Sequence, residues 1–230
     1  YSMIGDGLSH VSFGALAVAA ALGFTPLYFS IPVVIAAAFL LLRVADSPRW
    51  NSDAAIAVVS ASSLALGVLV ISKTSGMTTD VDNYMFGSVL AMSREDVVLS
   101  VALCAAVLAL FALFYHRIFA VTFDESFSRA TGLKAERYNA LLAILTALTI
   151  VLGMRMMGAM LISSLVIFPA LTAMRLFRSF RGVTLCAAAV SVGCFCVGLA
   201  VSFAWSTPVG ATVVAAHLAL FLSAWAVSLI

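Results

Sequence analysis

Long apolar runs, broken at short intervals by small polar clusters, set the pattern of this chain. A spanning helix takes about 17 to 25 mostly apolar residues, fewer where neighbours enclose it. Eight runs meet that length: 7–23, 27–42, 54–72, 97–115, 138–153, 156–174, 183–205 and 208–229. Helix breakers mark most divisions. Pro26 precedes the short second run and Pro32 lies near its start, Pro48 lies in the next loop, and Pro208 suits the first turn of the last helix. The division of 138–174 rests on length and on the GMRMMG turn, Gly153–Gly158. The pattern predicts an all-α, polytopic transmembrane helical bundle, with no internal repeat and a single membrane domain over 1–230. Tyr1 already stands at the edge of an apolar segment and is no initiator methionine, so an N-terminal piece with at least one further span is expected to precede it.

Composition agrees. The chain is 64% apolar and only 10% charged, against about 25% charged in soluble domains. A net charge of +2 is too small to imply a nucleic-acid partner. What informs is where the basic residues fall. With eight spans, the side of Tyr1 receives nine: Arg43, Arg49, Arg117, Arg129, Lys134, Arg137, Arg175, Arg178 and Arg181. The other side receives three, Lys73, Arg94 and Arg155. The positive-inside rule then puts Tyr1, the 116–137 loop and the C-terminus in the cytoplasm. The four cysteines, Cys104, Cys186, Cys194 and Cys196, lie in apolar runs without metal or disulfide spacing and read as small packing residues.

Two loops stand out. The outer one, 73–96, opens with Asp80 and Asp82, and its YMFGSVLAM core is too short to span, which suits an interfacial or re-entrant segment. The inner one, HRIFAVTFDESFSRATGLKAER (116–137), predicts a short amphipathic helix within 119–132. Phe119, Phe123 and Phe127 recur at helical spacing, and Gly132 stops the helix. Such a helix either lies in the headgroups or forms a docking surface for a cytoplasmic partner.

Some chemistry is excluded by motif. There is no GxxxxGK[ST] loop, no HExxH and no GxSxG. The strongest candidates are Asp6 and His10, four residues apart and therefore on one helix face that continues to Gly14. A carboxylate deep in a bilayer costs about 2.5 to 3.5 kcal/mol, so it ordinarily faces protein or water. Carboxylate plus imidazole makes half a site for Zn²⁺ or Mn²⁺, and Gly14 would admit a close helix neighbour. The competing reading makes Asp6 a capping acid and His10 an interhelical hydrogen-bonding group. His116 reads as a headgroup residue, and His217, mid-way along the last run, as an interhelical hydrogen-bonding group. Pro169, after Ser163 and Ser164, should kink its helix.

Five stretches in order resemble the zinc/manganese ABC-transporter permease family: SMIGDGLSHVSFGALA (2–17), DAAIAVVSASSLALGVLVIS (53–72), NYMFGSVLAMS (83–93), TFDESFSRATGL (122–133) and MGAMLISSLVIFPALTA (157–173). The resemblance implies a type II-like permease, a homodimer around a translocation path, in the bacterial cytoplasmic membrane. It implies no enzyme activity of the chain's own, because a separate cytoplasmic ATPase hydrolyses ATP. An extracytoplasmic binding protein would deliver the metal. Asp6 and His10 would handle the transported zinc or manganese, the only metal implied. Asp124, Glu125, Phe127, Ser128 and Arg129 would dock into the ATPase. Two alternatives stay open: the related cobalamin and iron-chelate permeases, and an ATP-independent carrier or intramembrane enzyme.

Overall fold

The computed structural model describes residues 2–45, 52–73 and 94–227. Among these residues the chain is helical and carries no strand. The helices are α1 (Ser2–Ala21), α2 (Pro26–Ala45), α3 (Ser52–Lys73), α4 (Arg94–Phe123), α5 (Glu125–Ala130), α6 (Ala135–Met157), α7 (Ala159–Leu176), α8 (Phe180–Trp205) and α9 (Val209–Val227). All but α5 are long and apolar enough to cross a membrane, and these eight coincide with the eight apolar runs. The re-entrant segment expected at YMFGSVLAM, with Asp80 and Asp82, lies outside the described residues.

The division within 138–174 falls at one residue. Gly158 has φ +83 and ψ 163, a conformation open only to glycine at low cost, and it separates α6 from α7. The inner loop departs from expectation. Nothing between His116 and Phe123 breaks a helix, so α4 continues to Phe123 rather than ending near 115. The Phe119, Phe123, Phe127 stripe is therefore not one helix. Phe119 and Phe123 close the last turns of α4, their ring centroids 5.2 Å apart, and Phe127 belongs to α5.

The chain divides into two compact units, the second beginning at Gly153. The first contains α1 to α5 and most of α6. Its buried side chains include Leu8, Phe13 and Leu16 of α1, Val34 and Leu41 of α2, Ile118 of α4 and Ile150 of α6. The small residues of α1 explain its close approach to α3. A Cβ on Gly14 would stand 2.8 Å from the Ser63 carbonyl oxygen, and one on Gly67 would meet the Phe13 ring at 2.8 Å. The second unit holds α7, α8 and α9, with Leu161, Val213 and His217 buried. There α8 and α9 meet at Gly198, where a Cβ would lie 2.7 Å from the Val213 Cα. The outward residues of the long helices, such as Val98, Val101, Leu108 and Leu113 on α4, are apolar, a surface that suits hydrocarbon rather than water.

Candidate functional site

From Ile4 to Ala17, every described residue of α1 is buried except Asp6 and His10. The two polar side chains thus occupy the one opening in an otherwise enclosed helix face, 35% and 28% exposed. Each four-residue step along an α-helix turns about 40° past the starting direction, so the stripe Asp6–His10–Gly14 rotates from this opening into the α3 contact at Ser63. The glycine expected to admit a neighbouring helix does so.

His10 Nε2 lies 4.0 Å from Asp6 Oδ2, beyond hydrogen-bond reach. Zinc held tetrahedrally between imidazole and carboxylate, at about 2.1 Å from each, would bring N and O to about 3.4 Å. A small side-chain rotation closes that difference. The Ser9 hydroxyl donates to the Asp6 carbonyl at 2.7 Å, bracing the turn beneath the carboxylate. His10 Nδ1 and Ser12 Oγ are buried without a hydrogen-bond partner among the described residues. A ligating imidazole ordinarily donates its other N–H to an acceptor that fixes the ring. Without one, His10 would make a loosely held ligand. No group of three or more His, Cys, Asp or Glu side chains converges among the described residues, so the pair is an incomplete site on its own. Ser9 and Ser12 were not singled out from sequence; Ser9's place between the two candidate ligands, and Ser12's two residues beyond His10, were the available signal.

The second candidate region is α5. Asp124 is its N-cap, with extended backbone (φ −149, ψ 96), and its Oδ1 accepts the Phe127 N–H at 2.8 Å. Glu125 and Arg129, one turn apart and both exposed, form an ion pair at 2.7 Å. Phe127 is exposed, as is Phe123 just before the break, while Ser128 is turned inward and buried. At the other end the Leu133 N–H bonds the Ser128 carbonyl and the Gly132 N–H bonds the Arg129 carbonyl, with Gly132 at φ +85. This paired closure is the glycine-dependent C-terminal cap. The FDESFSRATGL stretch therefore encodes a short helix stopped at both ends, presenting Phe127 and a charged pair outward.

His217 differs from expectation. Its Nδ1 bonds the Val213 carbonyl of its own helix at 2.9 Å, and Nε2 is buried with no partner among the described residues. An interhelical bond was expected; the bond observed lies within α9. Pro169 lies inside an α7 that runs continuously from Ala159 to Leu176. Of the cysteines, Cys194 is buried and Cys196 exposed, as two residues on different sides of α8 should be.

The family model described as the ABC 3 transport family matches residues 1–228. The manganese import system permease protein ScaB of Streptococcus gordonii is 28% identical over 221 residues, covering 96% of this chain and 79% of the relative. The high-affinity zinc uptake system membrane protein ZnuB of Haemophilus influenzae is 28% identical over 218 residues, covering 95% and 84%. Among solved structures, PsaBC from Streptococcus pneumoniae in complex with Fab superposes with a TM-score of 0.85 at 27% identity, over 97% of this chain and 80% of that one. The eight spanning helices and the match along nearly the whole sequence make this multi-pass membrane protein a member of the ABC 3 transport family.

Proposed function

We propose that this chain is the transmembrane permease subunit of an ATP-binding-cassette importer that moves zinc or manganese into the cytoplasm, with Asp6 and His10 handling the ion. The observation that carries the site reading is the opening in α1: of residues 4 to 17, only the carboxylate and the imidazole reach the surface. An acid left facing hydrocarbon would be costly, so this opening belongs to a water-filled path or to a second copy of the chain. The relatives that name a cargo name manganese or zinc, which favours a divalent ion over cobalamin or an iron chelate. The metal is cargo. Two ligands 4.0 Å apart without a full coordination set bind it weakly, and water or a second protomer completes its shell. A closed set of four ligands would hold the ion too long for a conduit.

The chain hydrolyses no ATP in this reading. A separate cytoplasmic ATPase drives the change of access, and α5, with Asp124, Glu125, Phe127, Ser128 and Arg129, is the element it grips. Phe127 offers an apolar anchor, the Glu125–Arg129 pair offers charge, and Asp124 and Ser128 hold the helix in shape. Two copies of the chain would flank the path, an extracytoplasmic binding protein would deliver the ion, and the C-terminus would lie in the cytoplasm. The test is radioactive zinc and manganese uptake into cells carrying the assembled transporter. Asp6→Ala and His10→Ala should each lower uptake at least tenfold while the ATPase still co-purifies. Uptake at the original rate in both variants would sink the ion-handling role.

A further inference from the structure

A cleft of about 550 Å³ opens between the end of α4 and the start of α6, lined by Phe114 and Arg117 of α4, Lys134, and Arg137, Tyr138 and Leu141 of α6. It carries three cations and no acid. Glu136, the acid of that first turn, lines a groove with Arg43 and Arg129 and an adjoining pocket with Lys134 and Arg137, without pairing with either. Arg117, Lys134 and Arg137 are exposed, and none makes an ion pair among the described residues. Arg117 is held in place: its Nη1 donates to the Tyr138 hydroxyl at 2.8 Å, and its guanidinium stands 6.0 Å over the same ring. That contact orients the charge without neutralising it. Three like charges around one cleft repel each other, and the start of α6 adds the positive end of its helix dipole. An anion relieves both.

We infer that this cleft is a binding site for one anionic phospholipid, its phosphate held by Arg117, Lys134 and Arg137 and its acyl chain lying along Phe114 and Leu141. Depth decides between lipid and a docked protein. Phe114 and Leu141 lie within the apolar runs 97–115 and 138–153, whereas Tyr138 stands at the edge of its run and Arg117 and Lys134 lie just outside. The cleft thus runs from headgroup level into hydrocarbon, which a lipid follows and a cytoplasmic globular surface does not. Basic residues between membrane helices recognise headgroups in this way, and a tyrosine at the boundary suits the interface. Nothing here depends on which ion the protein carries.

The full-length permease, purified in detergent, provides the test through its thermal unfolding midpoint. Dioleoylphosphatidylglycerol should raise the midpoint by several degrees; dioleoylphosphatidylcholine and inorganic phosphate should not. The variant Arg117→Gln/Lys134→Gln/Arg137→Gln should lose most of that shift. Arg178→Gln/Arg181→Gln, which removes exposed charge elsewhere, should keep it. If the triple variant fails to fold, Lys134→Gln alone should at least halve the amount of phosphatidylglycerol retained in native mass spectra. Four results would overturn the site: an equal shift with phosphate or with phosphatidylcholine, an undiminished shift in the triple variant, the same loss in the Arg178/Arg181 control, or displacement of the lipid by purified ATPase subunit.

Discussion

Asp124 illustrates how much one side chain on α5 decides. Its carboxylate accepts the Phe127 N–H and so starts the helix that presents Phe127 and the Glu125–Arg129 pair. Two roles are conceivable for such an acid, a charge read by a partner and a cap read by the backbone, and the hydrogen bond favours the cap. Asparagine caps helices as well as aspartate, while alanine costs about 1 kcal/mol at such a position, roughly a fivefold change in an equilibrium. Asp124→Asn should therefore keep ATPase-coupled uptake near its original rate in reconstituted vesicles, and Asp124→Ala should lower it several-fold. Equal losses in both would mean that the charge, not the cap, is what matters. Asp6 has the opposite economy. Its side chain caps nothing among the described contacts, only its backbone carbonyl is braced by Ser9, and the carboxylate stands partly exposed beside His10.

Among the helices of the first unit, α1 approaches α3 closely, and the approach is built on glycine. Gly14 faces a backbone oxygen, Ser63 O, at a distance where a Cβ would stand only 2.8 Å away. Gly7 faces the Ile56 Cγ2 methyl at 2.9 Å instead, the branch methyl of a stiff β-branched side chain that still yields more than backbone. Overfilling a tight site costs about 1 to 3 kcal/mol, and backbone yields less than a side chain. Gly14→Ala should lower the unfolding midpoint by several degrees in detergent, and Gly7→Ala by less. The reverse order would show that the helices separate easily at Ser63. Since Gly14 continues the stripe of Asp6 and His10, its substitution should also reduce uptake by tilting the face that carries them. The eight spans could be read from hydropathy because each run of apolar residues exceeds what a soluble helix needs, and the GMRMMG turn marked where the long run divides, although the runs placed Gly158 inside the sixth span rather than at the break. The end of α4 could not. Between His116 and Phe123 polarity rises without a breaker, and polarity alone does not end a helix; Asp124 ends it by capping the next one. Nor did the pattern place His217, whose bond to Val213 within its own helix leaves no trace in spacing.

At the level of the whole chain, the site was legible as a pair of residues and not as a complete shell. Asp6 and His10 stood out because charge is expensive in an apolar run, and their shared opening in α1 agrees with that. The remaining ligands had no signal, and none converge on the pair among the described residues. Whether a cytoplasmic motor can reach α5 is a matter of orientation, for which the distribution of charge sets an expectation. Nine of the twelve basic residues fall on the side of α5, so α5 should face the cytoplasm, where an ATPase can reach it. Ser126, exposed on α5, gives the handle. In a variant with all four native cysteines replaced by alanine, Ser126→Cys should resist a membrane-impermeant maleimide in intact cells and react in inverted vesicles. A cysteine in place of Lys73, exposed at the end of α3, should react in the opposite order. If Ser126→Cys is labelled from outside, α5 cannot be the coupling element, and the ATPase would have to be sought at the opposite end of α4.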